Sequence, residues 1–283
     1  MLVPSVPAFE VQTDDPFSSE SLVTGEVLIN PLFFNYPWQH AGENGSLTIT
    51  FEEECSKELQ VELDPNTVQP RGVANTQATV DARVTTCPPT PGSTPESVVV
   101  TFTIDPNEPV QGSEDAGGHS HNGNRPRGNF TVPKTGPTAV MCTVSTFDAQ
   151  GVGTCDEPKT YFPPEVSGNV KIVAEAKDFD KAEKRINVQV PGLIPLEEVI
   201  IPTFFRLTGR TSTHFDNHYG TENTVDKIVA MAFDYFDLHN ETIGINDMSL
   251  ISGGLFDIRN NWSAKPGHSR HRLGKSVDID RCA

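Results

Sequence analysis

The chain is poor in positive charge. Over 283 residues, 21 Lys and Arg stand against 38 Asp and Glu, a formal net charge of −17. Phosphate backbones are repelled by that balance, so nucleic acid is excluded as a partner. No stretch approaches the run of about 18 apolar residues that a membrane-spanning helix needs, so no transmembrane segment is expected. Met1-Leu2-Val3-Pro4 offers neither a basic stretch nor an apolar one, so no secretory signal is expected in the sequence itself. Apolar residues make up only 36% and aromatics 8%, low for a compact enzyme, while 22 Gly and 23 Pro indicate many turns.

What is present begins with five cysteines. Cys55 and Cys87 flank one β-rich region, and Cys142 and Cys155 bracket a short hairpin. Those two pairs are the simplest pairings open to a disulfide framework, which implies an oxidising compartment, extracellular or in the cell envelope. Five reduced, buried thiols are the alternative. Cys282 is left over beside the chain end, as if its partner lay further on.

The order of the chain suggests several parts. Residues 1–24 read as a flexible leader with little apolar content. From Gly25, β-type runs recur between Pro, Asn and Gly. They are Glu26–Leu32, Ser46–Glu52, Leu59–Leu63, Thr79–Thr85, Ser97–Ile104, Asn129–Val132, Ala139–Ser145, Asn169–Ala176 and Arg185–Val190. Such spacing predicts an all-β immunoglobulin-like sandwich over 25–191, closing in a hairpin around the charged turn Lys177-Asp178-Phe179-Asp180. A long insert, Gly117–Gly128, carries His119 and His121. The two can clasp a metal from one side of an extended segment, but a solvated Gly/Asn-rich loop is the plainer reading.

Residues 192–204 read as a linker, and 205–283 as an incomplete α+β domain. One strong helix is predicted over Thr221–Leu238, with the apolar stripe Val225, Ile228, Val229, Ala232, Phe233 and Phe236 and an N-terminal cap from Asn223 and Asp226. Before it, His214 and His218 sit in a polar cluster over 213–219. That cluster is either a cleft wall or ordinary loop hydrogen bonding. Trp262 is likewise open to two readings, a cleft wall or core packing.

The most informative stretch is the last. Ser269-Arg270-His271-Arg272-Leu273-Gly274-Lys275-Ser276-Val277-Asp278 follows the pattern Ser-x-His-x-x-Gly-x-Ser-x-Asp. An imidazole and a carboxylate are two of the ligand types that zinc prefers. Gly274 allows a turn between them. Alternation over Ser276–Asp280 places Val277 and Ile279 on one face and Asp278 on the other.

That pattern resembles the zinc-ligand motif of the peptidase group that contains lysostaphin, D-alanyl-D-alanine carboxypeptidases, murein endopeptidases and the hedgehog signalling domain. The resemblance covers about residues 200–283 and is strongest over Gly253–Ile279. It implies that His271 and Asp278 bind Zn2+ and that His268 is a catalytic histidine. It further implies hydrolysis of peptide or peptidoglycan cross-link amides. The group's third ligand is a histidine further downstream, so the chain is expected to be a C-terminally truncated fragment that binds zinc weakly or not at all and is inactive as it stands. His214 or His218 can replace that ligand only if the fold brings one of them close. Two rivals stand beside this reading: a non-catalytic extracellular binding module, and a surface structural protein with a vestigial half-site. Substrate and oligomeric state are not written in the sequence.

Overall fold

The computed structural model describes residues 34–40, 43–49, 56–73, 76–88, 95–107, 118, 121, 125–132, 135–197, 204–256, 262 and 270–281. The chain divides into two compact units, Met1–Glu54 and Cys55–Ala283. In the first, β1 (Phe34–His40) and β2 (Glu43–Ile49) form an antiparallel hairpin. Glu26–Leu32 lies outside the described residues. Ser46–Glu52 overlaps β2, so that run belongs to the first unit and not to the sandwich.

The second unit opens with β3 (Glu58–Asp64), β4 (Thr67–Val68), β5 (Ala78–Thr85), β6 (Val98–Ile104), β7 (Asn129–Phe130) and β8 (Ala139–Val144). It continues with β9 (Val152–Thr154), β10 (Lys159–Phe162), β11 (Gly168–Ala176) and β12 (Ala182–Val188). Two five-stranded sheets result. One runs β3-β5-β10-β7, with β9 also on β5, and the other runs β4-β12-β11-β6-β8. All pairs are antiparallel except β4 with β12.

Alternation explains the packing. Along β5, Ala78, Val80, Ala82 and Val84 are fully buried while the residues between them face outward. Val100, Phe102 and Ile104 of β6 do the same from the opposite sheet. These residues meet Ile172, Ala174, Ile186 and Val188 in one continuous core. Each large aliphatic or aromatic side chain buried this way contributes about 1.5–3 kcal/mol. Cys142 and Cys155 are joined by a disulfide across that core's edge. Cys87 is also disulfide-bonded, while Cys55 and Cys282 lie outside the described residues.

Beyond β12 the elements shorten. They are β13 (Leu193–Pro195), β14 (Phe205–Leu207), β15 (Tyr219–Thr221), α1 (Glu222–His239), β16 (Ile243–Ile245) and β17 (Ile279–Arg281). The expected linker 192–204 contains β13, which pairs with β15 and so is tied into the fold. β14, β16 and β17 make a small mixed sheet, parallel on one side of β16 and antiparallel on the other. Against it α1 lays Ile228 and Ala232, with Val225 and Val229 partly buried. Phe233 points outward, 51% exposed, so the stripe is narrower than its periodicity implied. Thr221 occupies the N-cap, and Asn223 and Asp226 lie within the helix, because the chain reaches it directly from β15. Asn240 closes the helix in a left-handed conformation, φ 51°, its N–H donating to the Phe236 carbonyl. Among the described residues no helix is long and apolar enough to cross a membrane.

Candidate functional site

His271 opens a single 3-10 turn, His271–Leu273, and is buried. The turn ends at Gly274 with φ 64°, a left-handed angle that costs a side chain about 1–2 kcal/mol. A Cβ there would lie 2.4 Å from Leu193 Cδ2, so both backbone angle and space require glycine. The Gly274 N–H donates to the His271 carbonyl at 3.0 Å, and its own carbonyl accepts from Thr221 N–H at 2.9 Å. The last bond fastens the turn to the start of α1.

Asp278 is held differently. Its N–H donates to the Asp247 carbonyl at 2.8 Å, and its carbonyl accepts from Asn246 N–H at 2.8 Å. Asn246 and Asp247, just past β16, thus both face Asp278, just before β17, the hydrogen-bond pattern of a β-bulge. Val277 packs on the C-terminal core but Ile279 is 46% exposed. The expected shared apolar face of Val277 and Ile279 is therefore absent, because the regular strand starts only at Ile279, after the bulge.

These separate anchors bring His271 Nε2 to 3.5 Å from Asp278 Oδ2. A charge-assisted N–H···O bond is about 2.7–2.9 Å. Two ligands about 2.0–2.2 Å from one tetrahedral cation stand about 3.3–3.5 Å apart. The observed 3.5 Å is an ion-pair separation, longer than the direct bond. The Asp278 side chain is 50% exposed and that of His271 only 4%, so the pair is open to solvent on the carboxylate side.

A row of rings continues from His271. Phe256 lies tilted against it at 5.9 Å between centroids, and His214 stacks on Phe256 at 4.8 Å. His121 meets His214 edge-on at 5.0 Å and Trp262 at 4.5 Å. Burial pushes His121 down to about 4. The insert read as a solvated loop thus delivers His121 against the C-terminal region, and no local signal distinguished it from a surface histidine. At the loop's end the buried Arg125 donates to the Ser167 and Asn169 carbonyls. Trp262 packs with Val166 and Leu255.

A cavity of about 180 Å³ lies beside this row, lined by Gly209, Thr211, Ser212, Thr213, His214, Asp247 and Phe256. Thr213 and His214 of the 213–219 cluster line this cavity, whereas His271 and Asp278 are not among its lining residues. His218 instead turns inward, Nε2 to the Ile245 carbonyl at 2.9 Å, and burial lowers its pKa from the usual imidazole value. His214 is separated from His271 by Phe256. Among the described residues no three His, Cys, Asp or Glu side chains are grouped to hold a metal ion. His268 and His119 lie outside the described residues.

No protein-family profile and no curated protein matches the chain. Among solved structures, it is similar to a glycosyl hydrolase family 2 member from Bacteroides cellulosilyticus at 14% identity and a TM-score of 0.25, over 53% of this chain and 16% of that one. The chain thus spans about a sixth of that hydrolase's length. It is also similar to BslA, a bacterial hydrophobin, at 17% identity and a TM-score of 0.21, over 47% of this chain and 98% of that one.

Proposed function

We propose that residues 205–283 form part of a zinc-dependent peptidase-like site in an extracellular or cell-envelope protein, with the immunoglobulin-like sandwich as its companion. The reading rests on one observation: two ligand-type atoms, anchored by different elements, stand 3.5 Å apart. His271 and Asp278 would hold the metal. A third ligand, required alongside an open position, would come from outside the described residues. Bound zinc supplies Lewis-acid polarisation of a carbonyl and brings the pKa of a coordinated water to about 7. The resemblance to the zinc peptidases supports His268, three positions before His271, as the residue that would move a proton in amide hydrolysis. The Cys142–Cys155 bond is compatible with an oxidising compartment, and the acidic charge disfavours nucleic acid.

A second reading is a non-catalytic binding module with a vestigial half-site, in which the same His271 and Asp278 pair serves no turnover. Titration of zinc against a chromogenic chelator separates these from an idle pair. Weak one-to-one binding is expected, weakened at least about tenfold in His271→Ala and Asp278→Ala. Equal zinc binding by the wild type and both variants would sink the metal site altogether. Chelator-sensitive release of fragments from a peptide or peptidoglycan substrate favours the enzyme. Retention of substrate without release favours the binder.

A further inference from the structure

The residue after His271 reaches out of the C-terminal region. Arg272 Nη2 lies 3.2 Å from Glu165 Oε2, and Glu165 belongs to the segment between β10 and β11. On its other oxygen Glu165 faces Arg71 Nε at 3.9 Å. The Arg272 and Glu165 side chains are 13% and 22% exposed, so solvent screens this pair less than a surface one. Gly72 makes room for the guanidinium, since a Cβ there would stand 2.8 Å from Arg272 Nη1.

The backbone follows the same path. Leu255 N–H donates to the Glu165 carbonyl at 2.8 Å, and Gly254 N–H to the Arg272 carbonyl at 3.1 Å. Val166 and Gly254 form a β-bridge, and Ser167 Oγ donates to the Gly253 carbonyl at 2.7 Å. Residues 253–255 therefore lie as a layer between the sandwich and the His271 turn. The Glu165–Arg272 pair spans that layer from outside. The Glu165 carboxylate thus grips the second residue of a turn whose first residue, His271, is buried.

We propose that Glu165 is a positioning residue for His271, so that the sandwich sets the orientation of one half of the candidate metal pair. For its consequence on metal binding, though not for the positioning itself, this rests on the zinc reading above.

The test uses the full chain as wild type, Glu165→Gln and Glu165→Asp. It measures amide hydrogen exchange by NMR, thermal midpoint and zinc competition. Loss of a charge-assisted hydrogen bond is expected to speed exchange at the Gly274 and Thr221 amides about tenfold in Glu165→Gln. Exchange within β5 and at the Asp278 amide stays at the wild-type rate. Glu165→Asp, which keeps the charge, regains part of the protection. Zinc binding weakens by a similar factor in Glu165→Gln. Unchanged exchange at Gly274 overturns the proposal. So does a uniform rise that includes β5, which would make the pair a general stabiliser. A turn that loosens selectively in a protein whose wild type binds no zinc supports the positioning role and removes the zinc reading alone.

Discussion

The sandwich and the C-terminal region bury different things. Between the two five-stranded sheets the core is aliphatic and aromatic, filled by alternating residues such as Val80, Phe102, Ile172 and Ile186. The C-terminal region has a smaller apolar cluster around Phe205, Ile245 and Met248, and it also buries His214, Asn217, His218, Ser249 and His271. Burying a polar group costs about 1–3 kcal/mol unless it is hydrogen-bonded. One region is therefore shaped by volume, and the other takes polar side chains into its interior, with His218 Nε2 set against the Ile245 carbonyl at 2.9 Å.

Three measurements test that contrast. Truncating the sandwich core should have the largest effect. Phe102→Ala, at a fully buried position, is expected to cost about 3–5 kcal/mol by urea unfolding. A loss below about 1 kcal/mol would show the core to be loosely packed.

Acid should act mainly on the other region. Burial holds His121 at about 4, and His218 also below its ordinary value, so both stay neutral in the fold after the unfolded chain has begun to take up protons near 6.5. The contribution of His121 is complete above about pH 6.5 and is lost as pH falls toward about 4, and that of His218 is lost in the same direction. Urea midpoints should drop over that window, and His121→Gln should flatten part of the drop. An identical profile in the variant would mean that the ring contacts with His214 and Trp262 do not govern the titration.

The smallest effect belongs to the sandwich surface. Lys181 and Glu175 pair at 3.3 Å with side chains 51% and 63% exposed. Lys181→Ala should change stability by less than about 0.5 kcal/mol. A larger change would mean that surface charge, and not core volume alone, supports the sheets.

Legibility in the sequence followed the same division. Thr79–Thr85 and Ser97–Ile104 were readable because period-two alternation survives wherever one face of a strand is buried. The hairpin around Lys177–Asp180 was readable because polar turn residues separate two apolar runs, and Asp178 adopts φ 65° there. The brief β10, Lys-Thr-Tyr-Phe between prolines, was missed because it is too short to alternate. The helix boundaries shifted by one residue. His271 and Asp278 stood out through their spacing with Gly274, and the structure sets them side by side. Neither His121 nor Glu165 could be read, since each reaches its contact across a long chain separation that no local period encodes.

The anchoring of His271 and Asp278 has one more consequence. Their proximity is a property of tertiary structure: the turn is fastened to a helix start and the carboxylate to a neighbouring strand. A synthetic peptide spanning 266–281 would contain both residues and reproduce neither anchor. Its flexible loop would have to close against entropy to bring them together. The pair cannot be excised with its motif, because the motif supplies the atoms and the rest of the molecule supplies the distance.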